Sequence, residues 1–102
     1  MKLSQLKKKY PKAFDKFIKR YTYTHALDNN IREWWSDITD FMDKQGIIIT
    51  TSTYGRLFYG AIYIKDIDKE VCFEWESKCV TSRSQAETKA ICKAFEILEE
   101  RL

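Results

Sequence analysis

The order of the predicted elements favours an α+β domain in which a three-stranded antiparallel meander is packed by helices. Helical periodicity covers residues 3–21 and 30–45, three strand-like runs follow, and residues 81–102 are helical again. Only short turns separate the three runs, and short connections join antiparallel strands. The chain has 102 residues, of which 44% are hydrophobic, and this is the size of one domain with its own core. We therefore expect one domain over residues 1–102 with the element order α-α-β-β-β-α.

The N-terminal segment is predicted as a basic amphipathic helix over residues 1–21, with a break at Pro11, because proline fits a first helical turn. Residues 1–20 carry eight basic side chains against Asp15 alone. Such a charge run is typical of a solvated helix face, and it also suits an arm that attracts phosphates or an acidic protein surface. The densest part of the run is Lys7, Lys8 and Lys9.

Residues 30–45 carry the clearest helical repeat of the chain. Asn30 is a candidate N-cap with Glu33 three residues later, and Gly46 suits the left-handed position that often closes a helix. The apolar stripe includes Trp34 and Trp35, which could stack on a base or a cofactor. At this strict spacing, however, an aromatic stripe is typical of a buried helix face. We expect this helix to begin the core that spans residues 30–102.

The three strand-like runs cover about residues 47–53, 57–65 and 70–80. The third run alternates between apolar and polar residues, whereas the second run is apolar at both parities. Both faces of the second run are therefore expected to be covered. Two helices can cover one face. The other face is expected to be covered by the N-terminal helix, which would give helix–sheet–helix layers, or by a second copy of the chain.

The last helix has strong start signals. Ser82 with Gln85 and Ser84 with Glu87 form two overlapping candidates for a capping box. Alanines in its first turns would let the helix approach the sheet closely. We expect a helix that runs to about residue 102 with one buried face.

Residues that commonly carry catalysis form no recognisable constellation in the sequence. The three glycines are too far apart for a phosphate-binding loop, and the three cysteines lack metal-ligand spacing. His25 is the only histidine, so a zinc site is not expected and the cysteines are interpreted as reduced thiols. The carboxylate pairs Asp66/Asp68 and Glu74/Glu76 suit a turn and a solvated strand face. We expect a protein that is not an enzyme, with no catalytic residue, cofactor or metal.

Targeting signals are also absent from the sequence pattern. The longest apolar run is Ile47-Ile48-Ile49, which is far shorter than a membrane span, and residues 1–20 lack the apolar core of a signal peptide. We therefore expect a cytoplasmic protein without a membrane partner.

The order of helix, three strands and helix over residues 30–102 resembles that of double-stranded-RNA-binding domains. The sequence Ser82-Arg83-Ser84-Gln85-Ala86-Glu87 resembles the start of the last helix in that family, where basic side chains contact phosphates. Arg83 matches one basic position of the motif, whereas Ser84 and Glu87 replace two others. The resemblance implies an RNA-binding surface that would use Arg83 at the start of the last helix. The N-terminal lysines lie outside the residues that the resemblance covers and are added on the ground of their charge.

The whole chain is similar to small proteins of bacteriophages and other mobile elements, including those called phage ABA-sandwich domains. The similarity rests on a short antiparallel sheet, here Phe73 to Trp75, that leads through a Ser/Arg/Ala turn at residues 81–86 into an Ala-rich helix. It implies a layered domain of phage or mobile-element origin with no assigned activity.

Two classes of function follow from these observations. The first is a small binding or accessory module that associates with an unidentified protein partner or with itself through aromatic surface. The second is a nucleic-acid-binding domain whose candidate contact residues are Lys7, Lys8, Lys9 and Arg83.

Overall fold

The structure, a computed structural model, describes residues 1–20, 30–66 and 71–102. Its elements follow the predicted order and confirm the α+β class. Two short helices, a 3-10 turn that continues into a third helix, three strands and a long last helix succeed one another. They are α1 (Leu3–Lys9), α2 (Pro11–Arg20), the 3-10 turn (Ile31–Trp34), α3 (Trp35–Lys44), β1 (Ile47–Tyr54), β2 (Leu57–Asp66), β3 (Val71–Glu76) and α4 (Arg83–Arg101).

The sheet is an antiparallel meander with β2 in the centre, as the short turns predict. Ile62 of β2 lies opposite Ile49 of β1 on one side and opposite Trp75 of β3 on the other. Gly55 lies in the two-residue turn between β1 and β2, where its φ of +61° is the kind of conformation that a tight hairpin requires. β1 and β2 therefore form a regular hairpin whose tip projects beyond the third strand.

All four helices lie on one side of this sheet. α4 packs against β2 and β1, α3 packs against β1, α2 packs against α4, and α1 packs against α2. One hydrophobic core contains side chains from every helix together with Ile47, Ile49 and Ile62 of the sheet. The expectation that the N-terminal helix covers the second sheet face is therefore wrong, and helix–sheet–helix layering is absent from the described part of the chain.

The N-terminal helices belong to the core and do not form a free arm. Leu3, Leu6 and Phe17 are fully buried. The ring of Phe17 lies 5.2 Å from that of Phe41 in α3 and 6.0 Å from that of Phe95 in α4, both in edge-to-face geometry. α2 thus seals the side of α3 and α4 that faces away from the sheet, because its apolar stripe finds aromatic partners there.

The start of α2 is capped by a residue from the other end of the chain. The carboxylate of Glu99 in α4 accepts hydrogen bonds from the backbone N–H groups of Lys12 (3.2 Å) and Ala13 (2.6 Å). These N–H groups belong to the first turn of α2, where backbone N–H groups have no acceptor within the helix itself. A negative charge at this position also suits the positive end of the helix dipole. Glu99 therefore fixes α2 to α4.

The helix start that the sequence predicts near Ser82 is confirmed. The Ser82 hydroxyl accepts a hydrogen bond from the backbone N–H of Gln85 at 3.2 Å. The Asn30 side chain accepts a hydrogen bond from the N–H of Arg32 at 3.0 Å and so caps the 3-10 turn.

The helices were also compared with the length and hydrophobicity of a membrane span. Among the described residues, none of them combines the length and the apolar composition that a membrane-spanning helix requires.

α4 approaches the sheet closely at Gly60. A Cβ atom added to Gly60 would lie 2.8 Å from the Cβ of Ala90 and 2.9 Å from the carbonyl oxygen of Ala86. Both distances are shorter than a van der Waals contact, so only glycine fits at this position. The alanines in the first turns of α4 therefore allow the close approach that the sequence predicts.

Candidate functional site

The sheet face opposite the helices is the main candidate for a functional surface, and we call it the open face. It is formed by every second residue of each strand, because successive strand side chains point to opposite faces. No described helix lies against it, and none of its residues belongs to the hydrophobic cluster that the helices and the sheet form together. Its members among the described side chains are Ile48, Thr50, Ser52, Tyr54, Leu57, Tyr59, Ala61, Tyr63, Lys65, Glu74 and Glu76.

The centre of the open face is aromatic and apolar. Tyr59 and Tyr63 of β2 are half-buried, and Ala61 between them is 3% exposed. Ile48 lies directly opposite Tyr63 on β1. Adjacent side chains on the same face shield one another, but no second layer covers them. A contiguous apolar surface of this kind is typical of an interaction site.

The tip of the β1–β2 hairpin extends this surface. Tyr54 is 76% exposed and its cross-strand neighbour Leu57 is 39% exposed. Both side chains lie on the open face, so the exposed apolar surface runs from the middle of β2 to the end of the hairpin. Tyrosine combines a large apolar ring with a hydroxyl that can hydrogen-bond, and it is enriched at protein interfaces for this reason.

The border of the open face along β3 is acidic. Glu74 lies opposite Tyr63 and Glu76 lies opposite Ala61, and both glutamates are exposed. The border along β1 is uncharged, because Thr50 and Ser52 occupy the corresponding positions. A partner that covers the aromatic centre would therefore meet negative charge on one side and hydroxyl groups on the other. This arrangement favours basic over acidic groups in the partner.

The candidate nucleic-acid contacts lie elsewhere. Lys7, Lys8 and Lys9 are exposed in the last turn of α1. Burial raises the pKa of the Cys92 thiol in α4, and the nearby charge of Lys9 offsets only part of this increase. Arg83 is exposed at the first residue of α4, nine residues before Cys92. Nine residues of helix span about 14 Å. Along α4, Arg83 is therefore separated by this length from Cys92, the residue that the lysine run approaches.

Arg83 lies at the same end of the molecule as the hairpin tip. Its guanidinium carbon is 5.8 Å from the centre of the Phe58 ring, which is the geometry of a cation–π interaction. Val80 pairs with Phe58 through two backbone hydrogen bonds and brings the start of α4 to this position. Arg56 is exposed in the hairpin turn two residues before Phe58. Arg56 and Arg83 therefore give this end of the molecule a positive charge. Their common position at this end depends on the tertiary structure and is not readable from the sequence.

A cleft lies beside the start of α4. It has a volume of about 530 Å³, and Arg32 on its wall forms an ion pair with Glu87 at 3.1 Å. Polar side chains of α4, such as Ser84, Thr88 and Lys89, form the rest of the wall. No His, Cys, Asp or Glu side chain is among the described residues that line the cleft.

Cys79 and Cys92, the two cysteines whose side chains the structure describes, show no metal-binding arrangement. Cys79 is an exposed free thiol, and Cys92 is a half-buried free thiol whose sulfur lies 3.1 Å from the sulfur of Met1. Burial raises the pKa of Cys92, which keeps the thiol protonated and unreactive at neutral pH. Within the described residues, no three His, Cys, Asp or Glu side chains are grouped to hold a metal ion. His25 and Asp68 lie outside the described residues.

We compared the chain with protein families, curated proteins and solved structures, and none of the three comparisons finds a match. The resemblances to double-stranded-RNA-binding domains and to phage ABA-sandwich domains therefore stay predictions. The candidate site rests on the geometry of this chain alone.

Proposed function

We propose that this protein is a non-enzymatic binding module whose open face receives a protein partner with basic side chains around an apolar patch. The observation that carries this proposal is the one-sided packing of the sheet. Four helices cover one face, and the other face presents Tyr59, Tyr63 and the hairpin residue Tyr54 to solvent.

The size and composition of the open face support a protein as the ligand. A flat surface of tyrosines, an isoleucine and small residues lacks the enclosed pocket that a small molecule needs. Tyrosine-rich patches with a polar border are common at the centre of protein interfaces. A partner that covers this surface would bury the apolar side chains of β2, which no described element covers.

The charge of the open face supports a basic partner. Glu74 and Glu76 lie beside the aromatic centre, and their exposed carboxylates would repel the phosphates of a nucleic acid that stacks its bases on Tyr63. Lysine or arginine side chains of a protein partner would pair with these carboxylates at the border of the contact.

A random peptide library displayed on a carrier tests this proposal. Peptides selected on the wild-type protein should be rich in basic and apolar residues. They should lose at least about tenfold in affinity for the variant Glu74→Lys/Glu76→Lys, because the charge of the border is reversed. The matched control is Glu33→Lys/Glu100→Lys, which changes the net charge by the same amount at two exposed glutamates outside the sheet.

The proposal is contradicted if the selected peptides bind the Glu74→Lys/Glu76→Lys variant as tightly as the control variant. Loss of binding to Tyr59→Ser/Tyr63→Ser, with an unchanged fold by circular dichroism, would independently locate the contact at the aromatic centre. Binding that is unaffected by both pairs of substitutions would exclude the open face as the site.

A nucleic-acid-binding function is the second candidate, and the position of Arg56 and Arg83 at one end of the molecule favours it. Phosphates of a duplex could contact both arginines across the hairpin tip. This function predicts affinity for duplex RNA or DNA that falls steeply with salt, because basic residues release counterions from the nucleic acid. Binding should weaken in Arg56→Gln/Arg83→Gln. Neutralising Lys7, Lys8 and Lys9 tests whether the α1 run contributes.

A further inference from the structure

The two edge strands of the sheet differ in how they are protected. β1 has the sequence IIITTSTY and contains no charged residue and no proline over its eight residues. β3 carries Glu74 and Glu76, and Lys78 lies two residues after its end. Exposed edge strands usually carry charge, proline or a bulge, because their free backbone groups would otherwise pair with another chain. β3 has such protection and β1 does not.

The hydrogen-bond pattern identifies which backbone groups of β1 are free. The N–H of Lys65 bonds to the carbonyl of Gly46, so Gly46 and Lys65 form a hydrogen-bonded pair at the start of the β1–β2 register. Such pairs alternate along an antiparallel ladder. Thr50 and every second residue from it therefore bond to β2, whereas the backbone groups of Ile49, Thr51 and Thr53 point away from the sheet.

Nothing in the described part of the chain occupies these outward groups. No backbone or side-chain hydrogen bond of the described residues reaches the N–H or carbonyl groups of Ile49, Thr51 or Thr53. Thr53 and Tyr54 are exposed at this edge. The free segment is long enough for a further strand to add to the sheet, because natural strands are commonly five or six residues long.

We infer that β1 pairs antiparallel with β1 of a second copy of this chain, so that two meanders join into one six-stranded sheet. An identical strand is the occupant that the composition favours, because antiparallel self-pairing of β1 brings no like charges together. Self-pairing of β3 would place glutamate against glutamate, since its outward-pointing groups belong to Glu74 and its neighbours two residues away. The dimer is symmetric, as most homo-oligomers are.

The register of this pairing follows from the alternation along β1 between backbone groups that bond to β2 and backbone groups that point away from the sheet. Outward-bonding residues must face each other, so a two-fold axis at Thr51 places Thr51 opposite the partner's Thr51 and Ile49 opposite the partner's Thr53. On the open face the same register places Ile48 opposite the partner's Tyr54. Tyr54 is the most exposed large apolar side chain of the described residues, and aromatic pairs with β-branched residues stabilise antiparallel strands. The register therefore covers apolar surface that the monomer leaves in water.

The pairing would also enlarge the open face. The open faces of the two copies would become one continuous surface with acidic borders at its two outer edges, because β3 lies at the far side of each copy. The pairing shares Ile48 and Tyr54 with the open face, whereas Tyr59, Tyr63 and the glutamates take no part in it, so variants at those residues test the proposed function separately.

Analytical ultracentrifugation of the full chain, from low micromolar concentration upward, tests the inference. The wild type should sediment as a dimer. Thr51→Pro removes an outward N–H without touching the ladder to β2, and proline is tolerated on edge strands, so this variant should stay folded. We expect its dimer dissociation constant to rise at least about tenfold. Glu74→Pro is the matched control, because it removes an outward N–H from the other edge and should leave the dimer intact.

A second pair of variants keeps the inference testable if Thr51→Pro unfolds. Thr51→Lys and Thr51→Glu should each be monomeric, because like charges would meet at the two-fold axis, and an equimolar mixture should form a heterodimer. A wild type that sediments as a monomer at all concentrations overturns the inference. A dimer that persists in Thr51→Lys, or that Glu74→Pro dissociates, overturns it as well.

Discussion

The central strand β2 has two faces of similar composition and opposite environments. On the helix side, Gly60 and Ile62 are buried, and α4 lies so close that an added methyl group would collide with it. On the open side, Tyr59 and Tyr63 alternate with these residues and remain partly in solvent. An apolar strand face can therefore belong either to the core or to a contact surface. The helices that pack against the sheet decide which of the two it becomes, because the residues of β2 are similar on both faces.

The difference between the helix side and the open side should be largest in the free energy of unfolding that is lost when an aromatic ring is removed. Phe17→Ala deletes a fully buried ring at the meeting point of α2, α3 and α4, and we expect it to lower the free energy of unfolding by about 3–5 kcal/mol. Tyr63→Ala on the open face should cost about 1 kcal/mol or less. Urea denaturation of both variants measures the difference. Equal losses would mean that the open face is covered in the folded protein.

An added methyl group should separate the two faces next. Gly60→Ala should lower the free energy of unfolding by about 1–3 kcal/mol, because the new Cβ would overlap Ala90 and the Ala86 carbonyl. Alanine is otherwise better than glycine in a strand, so the sign itself is informative. Ser52→Thr adds one methyl group at an exposed position on the open side and should change stability by about 0.5 kcal/mol or less. Thermal unfolding checks both variants, and a stabilising Gly60→Ala would contradict the close contact.

The attachment of α2 to the helix layer gives a smaller effect. Glu99→Ala removes the acceptor for the N–H groups of Lys12 and Ala13 and should cost about 0.5–2 kcal/mol. Glu100→Ala changes the neighbouring exposed glutamate and should cost about 0.5 kcal/mol or less. Amide hydrogen exchange in α2 should accelerate only in the first variant. Unchanged exchange there would show that Glu99 does not hold the helix.

The smallest expected effect is on the pH dependence of stability, and it arises from Cys92 in α4. Burial raises the pKa of Cys92 above its ordinary value of 9.0, so the folded state holds this proton more tightly than the unfolded state does. The associated stability is present below pH 9 and is lost as the pH rises through the pKa of the folded protein. Cys92→Ala should therefore reduce the loss of stability between neutral and alkaline pH. Identical pH profiles for the variant and the wild type would contradict this.

The order and type of the elements were predictable because they depend on local patterns. Helical periodicity, the Ser82 cap and the short turns each act within a few residues, and the structure confirms them. The extra length of β1 at the hairpin, to Tyr54, follows from the turn geometry at Gly55.

The position of the N-terminal helices was not predictable from the same patterns. The apolar stripe with Phe17 indicates that α2 is buried. The hydrophobic effect is not directional, however, so the stripe does not show which element of the fold covers it. The apolar pattern left the second sheet face, a second copy of the chain and a free arm open as alternatives for these helices, whereas the aromatic rings of Phe41 and Phe95 place them on the helix side.

The candidate site was predictable only in part. The apolar parity of Tyr59 and Tyr63 is readable from the sequence, and it indicates a surface that needs a partner. The acidic border is not readable in this way, because the position of Glu74 beside Tyr63 depends on the strand register. Arg56 and Arg83 likewise meet at one end only because Val80 pairs with Phe58.

The hydrogen bonds of Glu99 have a consequence for the time course of folding. Their acceptor lies 86 residues after Ala13 in the chain, so a nascent polypeptide emerging from the ribosome can form α2 but cannot fasten it until α4 has been made. Contacts between such distant residues form late, because closing a long loop costs entropy. We expect α2 to expose Phe17 transiently during synthesis and to become the last part of the protein that acquires protection.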